Sequence, residues 1–277
     1  MAYISLPDHA KALLLGLSDR KKTNPQAREP VFIQATSGTS NLADKPFTQP
    51  NRVEQLGLPK EYTDRNPEEI YEAEKKLEAE EAYPLRTTEL TVIDTGLELG
   101  VKTHVVMVPT VFGVGTGPGN KQSIQIPLLI RSVLKNGYLA VADHGMQEWD
   151  RVHVTDLVEL LGILLDRVLQ GKEVRSGKQG IVFAGSIRSS WRTLAQSILD
   201  AGIKLGKIPD STGIKHVDFE KAATDWGLGG AIGLAELGFA SNSRTTAEKA
   251  FEWGWKPEVL IMGKAIEEDW IAITADK

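Results

Sequence analysis

The chain has 277 residues, 41% of them hydrophobic and 25% charged, values that are typical of a folded protein with one large or two small domains. The formal net charge is −5 and no basic stripe is interleaved with aromatic residues, which argues against a nucleic-acid partner. Cysteine is absent, which excludes disulfides, thiolate zinc sites and cysteine nucleophiles.

The hydrophobic pattern does not predict membrane insertion. Glu159 and Asp166 interrupt the best candidate, Leu157–Leu169, so no stretch reaches the roughly 18 apolar residues of a membrane helix. The apolar run 12–17 is too short for the core of a signal peptide, and no basic region precedes it. We therefore predict a cytoplasmic protein without a membrane partner.

The first predicted elements are a helix, a short buried strand and a long polar segment. Apolar residues at helical spacing predict a helix over 8–21. The run Val31–Ala35 predicts a strand that ends in the hydroxyl-rich segment Thr36–Ser40, a suitable edge for a functional site. The stretch 41–66 is polar and contains three prolines, which predicts a surface excursion of the kind that often carries function.

The next segment predicts two helices and the strongest strand of the sequence. Asn66 as N-cap and Pro67 at the first helical position start a charged helix, which must end or kink at Pro84. A second helix has apolar residues at 90, 93, 97 and 99 and ends at Gly100. The valine-rich run Val101–Pro109 then predicts a strand.

Helices and strands alternate over the rest of the chain. This order predicts an α/β protein with a parallel sheet, followed by a more helical C-terminal part. After the Gly-rich loop 113–119, the predicted elements are a helix over 123–136, strands over 138–142 and 152–154, a helix over 155–169 capped by Thr155, a strand over 181–184, a helix over 191–203 capped by Ser190, and shorter helices over 217–226 and 245–253.

The Gly-rich loop Gly113–Gly119 lies between a predicted strand and a predicted helix, which is the setting of a phosphate-binding turn. Its spacing does not fit that role. A dinucleotide fingerprint needs glycine where Pro118 stands, and a Walker loop needs Gly-Lys-Ser/Thr where the sequence has Asn-Lys-Gln over 120–122. We interpret it as a flexible loop at the edge of a site.

Tyr71 and Lys75 form a Tyr-x-x-x-Lys pattern on the charged helix, which places both side chains on one helical face. Such a pair can transfer a proton to a carbonyl oxygen, with the lysine charge lowering the pKa of the phenol from about 10 toward neutrality. The same helix is rich in Glu and Lys, so the alternative is a solvated face with ion pairs between successive turns.

Histidine does not indicate a metal site. The five histidines are His9, His104, His144, His153 and His216. No two of them share the spacing of metal ligands on a helix, so no metal is predicted. His153 lies between valines in a predicted strand, where a hydrogen-bonded structural imidazole is more frequent than a catalytic base.

Three motifs, in order along the chain, resemble a known family. They are Val106–Gly115 with the sequence VMVPTVFGVG, Ile124–Ile130 with IQIPLLI, and Val152–Leu157 with VHVTDL. Together they resemble the extended short-chain dehydrogenase/reductases of the NAD-dependent epimerase/dehydratase group, and most of all its fungal NmrA-like and carbonyl-reductase-like branch. The C-terminal runs 241–244 and 253–257 are similar to the closing segment of that family.

The resemblance implies an incomplete Rossmann-like parallel sheet with a mostly helical C-terminal substrate subdomain. Residues 1–115 would form the C-terminal half of a dinucleotide-binding domain, with 41–66 as its surface excursion. Residues 116–277 would form a substrate-type subdomain that is intermixed with the remaining strands of the sheet.

The resemblance also implies an activity and its residues. The implied activity is that of an oxidoreductase that uses NAD or NADP to act on a carbonyl or hydroxyl group of a small molecule. In that mechanism Ser37 would polarise the substrate oxygen and a tyrosine would donate the proton. The nicotinamide would be lined by Pro109, Thr110 and Val111.

The N-terminal part departs from the family pattern. Nothing in residues 1–30 supplies Gly-x-x-Gly-x-x-Gly, the turn that holds the pyrophosphate, and the strands that precede the active-site strand in the family are expected to be absent. We therefore predict weak or no binding of NAD or NADP by this chain. An unpaired sheet edge and uncovered apolar helix faces predict that it is either poorly stable or self-associating as a homo-oligomer. The alternative function is a cofactor-free remnant that acts as a binding or regulatory protein.

The tyrosine also departs from the pattern. In the family, the Tyr-x-x-x-Lys helix leads directly into the strand that here ends at Pro109, a distance of roughly 25 residues. Tyr71 lies 38 positions before Pro109. Tyr83 lies 26 positions before it, but the residue four after Tyr83 is Thr87 instead of lysine. Three alternatives stay open: Tyr71 with Lys75 as the acid, Tyr83 as a lone acid, or neither.

Overall fold

The computed structural model describes residues 6–275. The helices are α1 Pro7–Thr23, α2 Arg52–Gln55, α3 Pro67–Glu80, α4 Pro84–Leu99, α5 Gln125–Asn136, α6 Val154–Leu169, α7 Trp191–Lys204, α8 Phe219–Asp225, α9 Ile232–Phe239, α10 Glu248–Glu252 and α11 Gly263–Thr274. The strands are β1 Val31–Gly38, β2 Tyr62–Thr63, β3 Lys102–Val108, β4 Thr110–Phe112, β5 Leu139–Ala142, β6 Glu148–His153, β7 Ile181–Phe183, β8 Ile187–Ser190, β9 Ile214–Val217 and β10 Thr245–Thr246.

The central sheet is parallel, with the strand order β1-β3-β7. Val31 pairs with Lys102 at the start of β1, Gly38 pairs with Val108 at its end, and the register shifts between Gln34 and Ser37. The carboxyl ends of these strands therefore meet at one edge, which is where ligands bind in open α/β sheets. The predicted α/β fold with parallel strands is confirmed.

The first core lies between this sheet and α3, α4 and α6. The helix α4 ends at Gly100, whose φ of 67° is a left-handed conformation that favours glycine and turns the chain into β3. The indole nitrogen of the buried Trp255 donates to the Asp156 carbonyl at 2.8 Å, which ties the C-terminal region to α6. Side chains of this core include Ile70, Val92, Ile93, Val105, Met107, Leu160 and Phe183.

The second core surrounds the parallel pair β5 and β9. Helices α5, α7, α8 and α11 contribute to it, and their buried side chains include Ile126, Ile130, Leu194, Ile198, Ala222 and Ile266. Elements after residue 116 thus contribute to both cores, since α6 and β7 belong to the first. The domain division at 115/116 stays a prediction.

The short helices predicted over 217–226 and 245–253 are confirmed as α8 and α10, but each follows a short strand that was not predicted. The strand β9 pairs with β5 and ends at Val217, and α8 starts after Asp218, whose carboxylate accepts from the Lys221 backbone N–H at 2.8 Å. Over 245–253, β10 pairs with β2 before α10 begins. A four-residue parallel strand and a two-residue bridge depend on partners distant in sequence, which local helical spacing does not reveal.

The predicted surface excursion 41–66 is partly wrong, because Leu42, Ala43 and Tyr62 are buried and the segment contains α2 and β2. The Asp44 carboxylate accepts from the backbone and side chain of Asn242, both at 2.7 Å. The side chain of Asn66, the predicted N-cap, makes no capping hydrogen bond. Within residues 6–275, no helix is long and apolar enough to cross a membrane.

Candidate functional site at the carboxyl end of β1

The end of β1 lies against the start of α4. A Cβ atom at position 38 would lie 2.6 Å from Cδ2 of Leu85 and 3.1 Å from Oγ of Ser40. A side chain at this position would therefore require the Leu85 and Ser40 side chains to move. Ser40, which follows β1, therefore lies beside Tyr83, which precedes α4.

Tyr83 and Ser40 meet at this point. The Ser40 Oγ and Tyr83 Oη atoms are 3.2 Å apart, and both side chains are half-buried. Tyr83 immediately precedes Pro84 at the start of α4, and its backbone N–H donates to the Glu78 carboxylate at 3.1 Å. Two hydroxyls at this distance can bind a single substrate oxygen, and the phenol can exchange a proton with it.

The lysine of the family pattern has no direct replacement beside Tyr83. Thr87, at the corresponding position, donates its hydroxyl to Glu78. The Arg86 guanidinium carbon lies 5.8 Å from the Tyr83 ring centroid, and the guanidinium donates to Glu78 at 3.0 Å and to the Asn41 carbonyl at 3.0 Å. A positive charge is therefore present near the ring, but a carboxylate already pairs with it.

Ser37, which the resemblance assigns to the substrate oxygen, has another partner in the structure. Its side chain is 4% exposed and donates to the Glu89 carboxylate. The Asn41 amide donates to the same carboxylate oxygen at 2.9 Å and to Ser37 Oγ at 3.3 Å. Among the described residues, no hydrogen bond joins Ser37 to Tyr71 or Tyr83, so its catalytic role stays a prediction.

Beneath Ser37 lie two fully buried carboxyl groups, Glu74 of α3 and Glu89 of α4. Burial raises the pKa of Glu89 to about 7. Burial and the neighbouring Glu89 raise the pKa of Glu74 well above its usual value. Two adjacent buried carboxyls cannot both ionise at low cost, so they hold a proton at pH values where exposed glutamates are charged.

Tyr71 and Lys75 both bind Asp94 instead of facing the end of β1. The Tyr71 hydroxyl donates to Asp94 at 2.6 Å, and the Lys75 ammonium lies 3.3 Å from the same carboxylate. The predicted lowering of the Tyr71 pKa is wrong: burial and the hydrogen bond to Asp94 raise it. The predicted alternative, a solvated face with ion pairs between successive turns, is also wrong: Tyr71 is buried, and Lys75 pairs with Asp94 of α4 instead of a residue of its own helix.

The predicted nicotinamide-lining residues follow β3. Pro109 separates β3 from β4, and β4 leaves the central sheet to pair with β6, with Thr110 opposite Arg151. Thr110 is buried and Val111 is half-buried. Among the described residues, no hydrogen bond connects these three to Tyr83, so their role also stays a prediction.

His153 has a structural environment. It is the residue before α6, and its Nδ1 accepts from the Thr155 backbone N–H at 3.4 Å, so the predicted cap at Thr155 is wrong by two residues. Burial lowers the pKa of His153. Its ring packs edge-on against Phe112 at 5.2 Å between centroids, which supports the structural interpretation.

The sequence interpretation did not single out Asn41, Arg86 or Glu89. Ser40 was included only as the last residue of the hydroxyl-rich segment after β1. A stronger signal was available for Glu89, because a glutamate on the apolar face of a helix must be buried with a partner.

Comparisons with known proteins agree with this architecture. Residues 16–177, more than half of the chain, match the NAD dependent epimerase/dehydratase family. No curated protein matches the chain significantly.

Solved structures of sugar-nucleotide enzymes are similar in fold. UDP-glucuronic acid 4-epimerase from Bacillus cereus, in complex with UDP-glucuronic acid and NAD, is 13% identical with a TM-score of 0.57, over 98% of this chain and 68% of that chain. DesIV from Streptomyces venezuelae, a dTDP-glucose 4,6-dehydratase with NAD and TYD bound, is 15% identical with a TM-score of 0.58, over 98% and 66% of the two chains. At these identities the likeness shows the fold alone.

The described residues fit a dinucleotide only in part. The edge formed by β1 and β3 is present, but within 6–275 no Gly-rich turn joins a strand directly to the N-terminus of a long helix. The loop 113–119 closes on itself through a hydrogen bond from the Gly115 N–H to the Lys121 carbonyl at 2.8 Å, and α5 begins only at Gln125. These residues therefore do not supply the pyrophosphate site.

Proposed function

Because this chain belongs to the NAD-dependent epimerase/dehydratase family, we propose that it is an oxidoreductase acting on a carbonyl or hydroxyl group of a small molecule, with Tyr83 as the proton donor and acceptor. The observation that carries the proposal is the contact of 3.2 Å between the hydroxyls of Tyr83 and Ser40 at the carboxyl edge of the sheet. Tyr83 also has the position relative to Pro109 that the family pattern requires.

In this proposal each nearby residue has one role. Ser40 donates a hydrogen bond to the substrate oxygen. Tyr83 gives that oxygen a proton, or takes one in the reverse direction, while the hydride at the carbonyl carbon would have to come from a reduced dinucleotide, NADH or NADPH. Ser37 is a positioning residue, because its hydroxyl binds Glu89 and fixes the turn that carries Ser40. The described residues account for the proton transfer alone. The affinity of the chain for NAD or NADP is proposed to be weak.

Matched serine variants test this assignment. The purified chain would be assayed with excess NADH or NADPH against a panel of small aldehydes, ketones and nucleotide sugars. Ser40→Ala should lower the single-turnover rate by about 10²-fold, the cost of losing one donor to a developing oxyanion. Ser37→Ala should lower it by less. A larger loss in Ser37→Ala than in Ser40→Ala would return the donor role to Ser37.

The second candidate is a cofactor-free binding or regulatory protein. The commitment of Ser37 to Glu89 and the presence of Thr87 in place of lysine favour it. Calorimetric titration of the panel compounds with and without NADH separates the two functions. Binding that does not depend on the dinucleotide, without turnover, supports this candidate.

Self-association and a cytoplasmic location complete the proposal. Among the described strands, β1 pairs with β3 on one side and with none on the other, and an open edge of this kind can pair with another copy. Light scattering that shows a monomer at all concentrations would contradict self-association.

A further inference from the structure

A large cavity lies at the end of the sheet remote from Tyr83. It has a volume of about 590 Å³ and is formed near the end of α6, the segment 173–179 and α10, around the start of β7. Ser40 follows the carboxyl end of β1, whereas β7 runs parallel to β3 and β1 and begins at Ile181. The two places are therefore at opposite edges of the central sheet.

The walls of this cavity are mainly cationic. Arg65, Arg167, Arg175 and Lys249 line it, together with the two carboxylates Glu173 and Glu252. Arg65 already pairs with Glu252 at 2.7 Å and with Glu248 at 2.9 Å. Three cations remain against the single carboxylate of Glu173, in a chain whose formal net charge is −5.

Lys249 has bonding capacity left over. Its ammonium donates to the carbonyls of Gln179 and Ile181, both at 2.8 Å. An ammonium has three N–H groups, so one stays available. Burial lowers the pKa of Lys249 to about 8; the Asp64 and Glu252 carboxylates oppose this shift and the Arg175 charge adds to it. The ammonium therefore lies in surroundings that an anion would stabilise.

The guanidinium groups of Arg167 and Arg175 also have N–H groups without hydrogen-bond acceptors among the described residues. The Arg167 guanidinium carbon lies 5.4 Å from the Trp253 ring centroid, and its Nη2 donates to the Glu173 carbonyl at 3.3 Å. The Arg167 Nε is buried and has no hydrogen-bond partner among the described residues. Arg175 is exposed, and the described residues give its guanidinium no carboxylate within ion-pair distance. The Arg175 guanidinium is therefore the group most available to a bound oxyanion, and Trp253 holds Arg167 beside it in the cavity wall.

We propose that this cavity binds a small organic polyanion, whose phosphate or carboxylate oxygens are bound by Arg167, Arg175 and Lys249. The ring of Trp253 fixes the Arg167 guanidinium, and Val174 and Val182 provide apolar wall for the carbon skeleton of the ligand. The ligand is small because the cavity has the size of an ordinary metabolite pocket. This site is separate from the proposed oxidoreductase function and does not depend on it.

Calorimetric titration of the full chain with inorganic pyrophosphate and with citrate tests the proposal. We expect binding that weakens with added salt, and at least a tenfold lower affinity in Arg175→Ala and in Lys249→Met, about 1.4 kcal/mol for each lost ionic contact. Lys172→Ala is the matched control, because Lys172 is exposed three residues before Arg175 and does not line the cavity. It should keep its affinity within about twofold.

The outcomes are distinguishable. Tighter binding of pyrophosphate assigns a phosphate ligand, and tighter binding of citrate assigns a carboxylate. Thermal melting identifies a variant that has lost its fold, and Arg175→Ala is the decisive one because its exposed side chain supports no other residue. Absence of heat with both probes up to about 10 mM overturns the proposal. Unchanged affinity in Arg175→Ala and Lys249→Met, or an equal loss in Lys172→Ala, also overturns it.

Discussion

Tyr71 lies in α3 and Tyr83 directly precedes α4, and their hydroxyls have different kinds of partner. Tyr83 faces the neutral hydroxyl of Ser40 at 3.2 Å, at the carboxyl edge of the sheet. Tyr71 donates to the Asp94 carboxylate at 2.6 Å, and Lys75, which completes its Tyr-x-x-x-Lys pattern, neutralises the same carboxylate.

The difference shows that a motif supplies chemistry only through its surroundings. A phenol hydrogen-bonded to a carboxylate keeps its proton, because ionisation would place two negative charges together, and the pKa of Tyr71 is accordingly raised. A phenol beside a serine hydroxyl can share a substrate oxygen with it. Tyr71, which has the complete Tyr-x-x-x-Lys pattern, is hydrogen-bonded to a carboxylate, whereas Tyr83, which lacks the lysine, lies where proton transfer is proposed.

The largest expected effect on stability concerns the buried carboxyl pair Glu74 and Glu89 beneath Ser37. Because the pKa of Glu89 rises from 4.5 to about 7 on folding, its contribution to stability is fully present below pH 4.5 and is lost as the pH rises through 7. The loss is on the order of 3 kcal/mol. Urea unfolding at about pH 5 and about pH 8 measures it.

Glu89→Gln should reduce this pH dependence, since the amide keeps an acceptor for Ser37 and cannot ionise, while the buried Glu74 contributes the part that remains. Glu98→Gln, on the exposed side of the same helix, is the control and should leave the dependence unchanged. A parent protein that is equally stable at both pH values would contradict the shared proton.

The close approach that brings Ser40 to Tyr83 can be broken at Gly38. Gly38→Ala places a Cβ 2.6 Å from Leu85 and 3.1 Å from Ser40, and it should cost about 1–3 kcal/mol through overpacking. Chemical denaturation measures the loss. Gly16→Ala is the contrasting variant: no atom lies within 4 Å of its Cβ in α1, and it should stabilise by about 0.5–1 kcal/mol.

Removing the phenol oxygen of Tyr71 tests how much its hydrogen bond to Asp94 stabilises the fold. Tyr71→Phe loses the hydrogen bond to Asp94, which should reduce the free energy of unfolding by about 0.5–1.5 kcal/mol. A loss near zero would mean that water replaces the phenol at Asp94 without cost.

The smallest effect is expected for Lys75→Ala. The Lys75 and Asp94 side chains are 47% and 42% exposed, so their ion pair should contribute no more than about 0.5 kcal/mol, and less at high salt. Thermal melts at low and high ionic strength check this value. A larger, salt-independent loss would show that Lys75 packs against the Tyr71 ring more than it pairs with Asp94.

Elements with strong local signals could be predicted from the sequence. The strand β3, the helix stop at Gly100 and the Ser190 cap, whose hydroxyl accepts from the Thr193 backbone N–H at 3.1 Å, follow from valine content, glycine conformation and capping chemistry. The strands β9 and β10 could not be predicted, because each is formed by pairing with a strand that is distant in sequence.

The candidate site was predictable only in part. The spacing before Pro109 kept Tyr83 as one of three alternatives, and the resemblance assigned the substrate oxygen to Ser37. The proposal of Ser40 instead depends on the buried Glu89, which accepts the hydrogen bond of the Ser37 hydroxyl. A contact between α4 and the end of β1 has no signature in either segment alone.

The most direct test compares Tyr83→Phe with Tyr71→Phe in single-turnover reduction of whichever panel compound the parent chain reduces. If Tyr83 is the proton donor, Tyr83→Phe should lose about 10²-fold or more in rate while keeping its fold, and Tyr71→Phe should stay within about twofold of the parent. A large loss in Tyr71→Phe with a normal rate in Tyr83→Phe would contradict the assignment of Tyr83.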